Sequence, residues 1–110
     1  MEWIEKLDGS VIVSDLSGKV IYANETAEQT FVKPGEPPLP GRDLMECHND
    51  DSKKIIGRIM KEKVKNVYTI EKKGKKKLIY QTPWVVDGEL KGLVELSLEN
   101  PFNMQHFIRE

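Results

Sequence analysis

Two adjacent residues carry most of the chemistry this sequence can offer: Cys47 and His48, in the run Glu46-Cys47-His48-Asn49, with Asp50 and Asp51 just beyond. A thiolate and an imidazole are both good ligands for haem iron or a soft divalent metal, and a nearby carboxylate could complete such a set. His48 is the better axial-ligand candidate, because an imidazole binds iron without first losing a proton at neutral pH. Neighbours on an extended stretch point in opposite directions, so at most one of the pair faces a shared site. The plainer reading makes Cys47 a small buried apolar group and His48 a surface residue near a helix start. Thiol catalysis would need the imidazole to reach the sulfur and be oriented by a third group, and adjacency in sequence provides neither. No enzyme activity is expected.

The other reactive residue types have structural readings of their own. Asp43, Glu46, Asp50 and Asp51 are close in sequence, but three of them sit where helix caps and first-turn acids belong, and the group reads as structural. The basic run Lys72-Lys73-Gly74-Lys75-Lys76-Lys77 reads as a solvated turn whose lysines protect a sheet from edge pairing. His106 either packs or reaches back from the C-terminus to a pocket. Trp84, following Pro83 inside a strand pattern, fits an edge or bulged position.

What must position these residues is small. A chain of 110 residues buries one modest core, so one domain is expected. With 17 basic against 18 acidic side chains, nothing in the charge balance calls for nucleic acid or an anionic membrane. A lone cysteine forms no internal disulfide, and the start has no signal-peptide pattern, which together point to the reducing cytoplasm. The apolar runs fall far short of the roughly 20 residues that span a bilayer, so no membrane role is expected.

Trp3, Ile4 and Leu7 predict a short helical lead-in over residues 1–8. Ser10–Ser14 and Lys19–Ala23 are β-branched runs joined by Asp15-Leu16-Ser17-Gly18, a hairpin signature. Asn24 stands at a helix start, and the helix stops before the proline-rich loop of residues 32–41. Arg42–Glu46 predicts one helical turn. Ile55, Ile56, Ile59, Met60 and Val64 then recur at helical spacing and predict a long helix near residues 51–64. Strands are predicted over 66–72, 77–86 and 90–99, parted by Lys73-Gly74-Lys75-Lys76 and Asp87-Gly88-Glu89. In the last strand Val94, Leu96 and Leu98 alternate with Glu95, Ser97 and Glu99, which predicts the aliphatic set facing the core. The segment 100–110, with Phe102, Met104, Phe107 and Ile108, is expected to pack on the domain.

A hairpin, a block of helices and a three-stranded meander, in that order, resemble the PAS fold. The opening Val11-Ile12-Val13-Ser14-Asp15-Leu16-Ser17-Gly18-Lys19-Val20-Ile21-Tyr22-Ala23-Asn24, the Gly41-Arg42-Asp43-Leu44 turn and the Asp87-Gly88-Glu89-Leu90-Lys91-Gly92-Leu93 hairpin carry the likeness, over residues 9–99. Glu46-Cys47-His48-Asn49 before a Ser-bearing cap is similar to stand-alone bacterial and archaeal PAS modules and to those attached to hemerythrin-like domains. The fold class implied is α+β, a five-stranded antiparallel sheet with short helices and one longer helix on one face. The resemblance implies a sensory module with a pocket between sheet and helices, of the kind that holds haem, flavin or a small metabolite. Photoreceptor members carry an Asn-Cys-Arg-Phe-Leu-Gln motif where this chain has Asp43-Leu44-Met45-Glu46, which disfavours a flavin photocycle.

The lining expected for that pocket is Ile56, Ile59 and Met60 from the helix, Val94 and Leu96 from the last strand, and Cys47 and His48 from the loop. Haem is a candidate cofactor through Cys47 or His48, although residues 51–64 contain no histidine of the kind haem-binding relatives place there. The few residues beyond the sheet hold no output element, so signalling is expected through association. A homodimer joined by the N-terminal turn, or a partner signalling protein, would serve. The alternative is a ligand-free scaffold that only dimerises.

Overall fold

In this computed structural model, residues 2–44 and 50–110 are described. The chain begins with α1 (Glu2–Glu5), then β1 (Ser10–Asp15), β2 (Val20–Ala23), α2 (Glu25–Phe31), α3 (Asp50–Glu62), β3 (Asn66–Lys72), β4 (Lys75–Val86) and β5 (Glu89–Asn100). The five strands form one antiparallel sheet in the order β2-β1-β5-β4-β3, so the first and last strands lie side by side at its centre. This is the expected α+β architecture.

Local chemistry explains most boundaries. The β1–β2 turn is built on Asp15, whose Oδ1 accepts from Ser17 N at 3.0 Å, Ser17 Oγ at 2.7 Å and Lys19 N at 3.0 Å. The Ser17 hydroxyl first, and the Lys19 amide after it, hold the Asp15 carboxyl below its ordinary range by favouring the charged form. The two later hairpins use two-residue turns with left-handed backbone at Lys73-Gly74 (φ 53° and 76°) and Asp87-Gly88 (φ 52° and 78°). Such turns match the right-handed twist of the strands they join. Pro83 lies in β4 beyond Gln81, the last β4 residue paired with β3, so its missing N–H faces an unpaired edge. A register shift at Trp84/Val85 marks a bulge at the same place.

Asn24 ties the first third of the chain together. Fully buried, it caps α2 by accepting from Ala27 N at 3.0 Å and also accepts from Val11 N at 3.1 Å. Its amide donates to Ile4 O at 2.9 Å and Gly9 O at 2.8 Å, so both donors and both lone pairs of the acceptor are used.

The core lies between the sheet and the helices: Ile12, Val20, Ala27, Leu39, Leu44, Ile56, Ile59 and Leu93 form one buried cluster. Leu93 of β5 belongs to it, and Ile12 stands directly opposite Glu95. Because side chains alternate along a strand, Leu93, Glu95 and Ser97 share the helix-covered face, and Val94, Leu96 and Leu98 occupy the other. The expected facing of β5 is therefore reversed. Alternation defines two faces without saying which one the helices cover; the register with β1 decides it. The inward polar groups are accommodated by mutual pairing, with Gln81 Nε2 donating to Glu95 Oε2 at 3.2 Å and Asn66 Nδ2 donating to Gln81 Oε1 at 3.0 Å.

A second correction concerns residues 101–110. All of them are exposed, with Phe107 at 64% and Ile108 at 83%, so the segment does not pack on its own domain. An apolar composition favours burial but supplies no surface to be buried against. At the other end α1 has no buried residue, and Trp3 is 63% exposed. Among the described residues no helix is long and apolar enough to cross a membrane.

Candidate functional site

The proline-rich loop turns part of the core edge into a cavity. Three backbone hydrogen bonds stitch the loop and the residues after it to the β2 side: Gly41 N to Val20 O at 2.7 Å, Val20 N to Arg42 O at 2.8 Å, and Leu44 N to Gly18 O at 2.7 Å. From α2, the Glu28 carboxylate accepts from Leu39 N at 2.9 Å and draws Leu39 into the core. Prolines at 34, 37, 38 and 40 have no N–H to satisfy, so the loop can leave the sheet with few orphaned donors.

Beneath this loop lies a cavity of about 190 Å³, lined by Ile12, Val20, Phe31, Leu39, Arg42, Asp43, Leu44 and Glu95. Its wall is mostly aliphatic. Glu95 places a carboxylate on the sheet side, held by Gln81 as described, while Arg42 and Asp43 stand on the loop side. Arg42 Nη1 donates to Pro37 O at 3.3 Å, which orients its side chain along the loop. Tyr68 of β3 shares the inner face with Ile79, its cross-strand partner, and Gln81. Burial first, and the negative charge of Glu95 second, push the Tyr68 phenol above its ordinary range.

The residues singled out from sequence are dispersed by the fold. Ile56 and Met60 line a separate cavity of similar volume under the β1–β2 turn, with Ser14, Asp15 and Leu93. Ile59 is 2% exposed, a core residue at the edge of a third space near Val64 and Asn66. Val94 and Leu96 stand on the sheet face opposite the cavity under the loop. Cys47 and His48 lie outside the described residues. His106 is exposed in the C-terminal segment, away from every cavity named above. Among the described residues no group of three metal-ligating side chains comes together.

The cavity under the loop does not suit haem. None of its described lining residues is an imidazole, a thiolate or a thioether, the usual iron ligands. Its volume only modestly exceeds the roughly 150 Å³ at which an engineered apolar cavity takes up benzene, and a porphyrin is several times larger than that. Sequence reasoning missed Glu95 and Gln81 because it placed Glu95 on the solvent side.

No family model matches the sequence, and no curated protein matches it. Solved structures do. A sensory box sensor histidine kinase from Vibrio cholerae superposes with a TM-score of 0.70 at 14% identity, over 92% of this chain and 89% of that one. The PAS domain of a protein from Colwellia psychrerythraea gives 0.64 at 17% identity, over 90% and 92%. VqmA of Vibrio cholerae, solved as a complex with ligand and DNA, gives 0.67 at 12% identity, over 89% of this chain and 48% of that one. At these identities the likeness is one of fold.

Proposed function

We propose that this chain, which has the PAS fold, is a sensory module that binds a small organic ligand in the cavity under the proline-rich loop. The observation that carries this reading is the cavity itself: an aliphatic hollow of about 190 Å³ into which a few polar groups converge. Well-packed cores hold few voids larger than a water molecule, and those with one polar side are suited to ligand selection. VqmA, a neighbour in fold, is itself known in complex with a ligand. The lining comes from the loop, α2 and strands β1, β2 and β5, so occupancy would tighten the loop against the sheet and alter what the sheet presents to a partner.

A second reading is favoured by the opposite sheet face. Val11, Val13, Val94, Leu96, Leu98, Leu78 and Tyr80 form one apolar band across β1, β5 and β4 by their register. Helices α2 and α3 contribute Ala27, Ile56 and Ile59 to the core on the other side and do not cover this band, in which Val11 is buried and the other six residues are half-buried. In this reading the chain is a homodimer through that band, with or without a ligand. Haem binding through the Cys47-His48 loop would be a separate site and is tested directly by the visible spectrum after addition of haemin.

One experiment separates the two readings. A fragment library is screened by ligand-observed NMR against the native chain and against Leu39→Trp, which fills the cavity, while light scattering reports the oligomeric state. Binding that Leu39→Trp abolishes supports the sensory reading. A dimer that binds no fragment, or binding that the filled cavity leaves unchanged, overturns it in favour of the scaffold.

A further inference from the structure

Glu95 is the charged residue that the sheet contributes to the cavity. It lies mid-strand in β5 between β1 and β4, on the helix-covered face, opposite Ile12 on one side and Gln81 on the other. Its carboxylate is held in a fixed polar row: Asn66 donates to Gln81, and Gln81, itself 3% exposed, donates to Glu95 Oε2. The row spends the donors of two amides on orienting one carboxylate, and it leaves Oε1 directed to no described donor. Among the described residues, Glu95 forms no ion pair.

Glu95 is half-buried, so the hydrogen bond from Gln81 fixes one carboxylate oxygen while the other stays open to water or to a ligand that donates to it. Arg42 and Asp43 stand on the loop side of the hollow, and Glu95 supplies the charge on its sheet side. The remaining wall, Ile12, Val20, Phe31, Leu39 and Leu44, suits an uncharged apolar body. An anionic ligand would have to approach the carboxylate that the sheet has fixed in place.

On the premise that the cavity is a ligand site, we propose that it selects small organic cations: an ammonium group, donating to Glu95, on an apolar body about the size of a benzene ring. Gln81 and Asn66 are the positioning residues for that carboxylate. The body packs against Leu39 and Leu44, which come from the loop and its continuation, so a bound cation bridges the central strand β5 to the segment that closes the cavity.

The test uses four probes of one shape: benzylamine, benzyl alcohol, benzoate and toluene. Each is titrated into the full chain and followed by amide chemical shifts of residues 39, 44 and 95. A charge-assisted hydrogen bond in a partly buried site predicts that benzylamine binds at least about tenfold more tightly than benzyl alcohol, with benzoate weakest. Glu95→Gln keeps the shape and an acceptor but removes the charge, and it should erase the preference of benzylamine over benzyl alcohol while toluene binds as before. The ranking on the native chain decides the matter even if that variant fails to fold. If toluene and benzyl alcohol bind at these residues and benzylamine binds no better, the cation assignment is overturned and the ligand site survives. If none of the four binds, the ligand site falls and the cation assignment with it.

Discussion

Replacing Asn24 by alanine removes four hydrogen bonds at once, from a side chain with no exposed surface. Loss of the α2 cap alone costs about 1 kcal/mol. The Val11 amide and the Gly9 carbonyl, both in buried hydrogen bonds to Asn24, lose their partners in the interior. Each such orphaned group costs about 1–3 kcal/mol. The Ile4 carbonyl is only partly buried and can turn to water. The sum is about 3–7 kcal/mol, against a total stability of about 5–15 kcal/mol for a domain of this size. With a urea slope of about 1–3 kcal/mol per molar, the midpoint of unfolding should fall by about 2 M. Asn24→Ser separates the contributions, because a serine caps α2 but cannot reach β1 and α1 together, and it should recover only about 1 kcal/mol of the loss. Gln29→Ala, on the exposed side of the same helix, should stay within about 0.5 kcal/mol of the native chain. An Asn24→Ala loss below about 1.5 kcal/mol would refute the tethering argument, since the cap alone would then explain it.

Three further outcomes are expected. A Cβ on Gly92 would come within 1.9 Å of the Ser14 carbonyl oxygen, a backbone atom of the paired strand, so Gly92→Ala should destabilise by at least about 2 kcal/mol. Gly57→Ala in α3, where nothing lies within 4 Å, should instead stabilise by about 0.5–1 kcal/mol, and urea denaturation of the pair reads both signs. Tyr22 donates to the Glu5 carboxylate, and that bond, followed by burial and the Glu5 charge, pushes the phenol up to about 12. The folded state then favours the neutral phenol, so its stabilising effect is present below the ordinary value near 10 and is lost as pH rises towards 12. Ultraviolet titration of the tyrosines should show one phenol ionising near 12, and Glu5→Gln should bring that transition down; a transition unmoved by Glu5→Gln counts against the contact.

The sequence by itself determines the elements and their order, because each is written in local chemistry. Asp15 and Gly18 specify the first turn, Asn24 the α2 cap, the prolines after Val32 the end of that helix, and Lys73-Gly74 and Asp87-Gly88 the two later hairpins. The spacing of Ile55, Ile56, Ile59 and Met60 fixes α3 in the same way. The site was not legible for a reason that can be located at one residue. The tight turn at Asp87-Gly88 pairs Val86 with Glu89 and Val85 with Leu90, and extending that register would set Gln81 opposite Val94. The bulge at Trp84/Val85 inserts Lys91 and sets Gln81 opposite Glu95 instead. A one-residue shift exchanges the two faces of a strand, so it turns Glu95 inward and Val94, Leu96 and Leu98 outward. Only the tertiary structure, through the pairing of β5 with β1 and the closeness of Gly92 to Ser14, decides where that extra residue goes. The exposure of Phe102, Met104, Phe107 and Ile108 has the same origin: composition states that a segment favours burial, and the surface that would bury it is a property of the assembled fold.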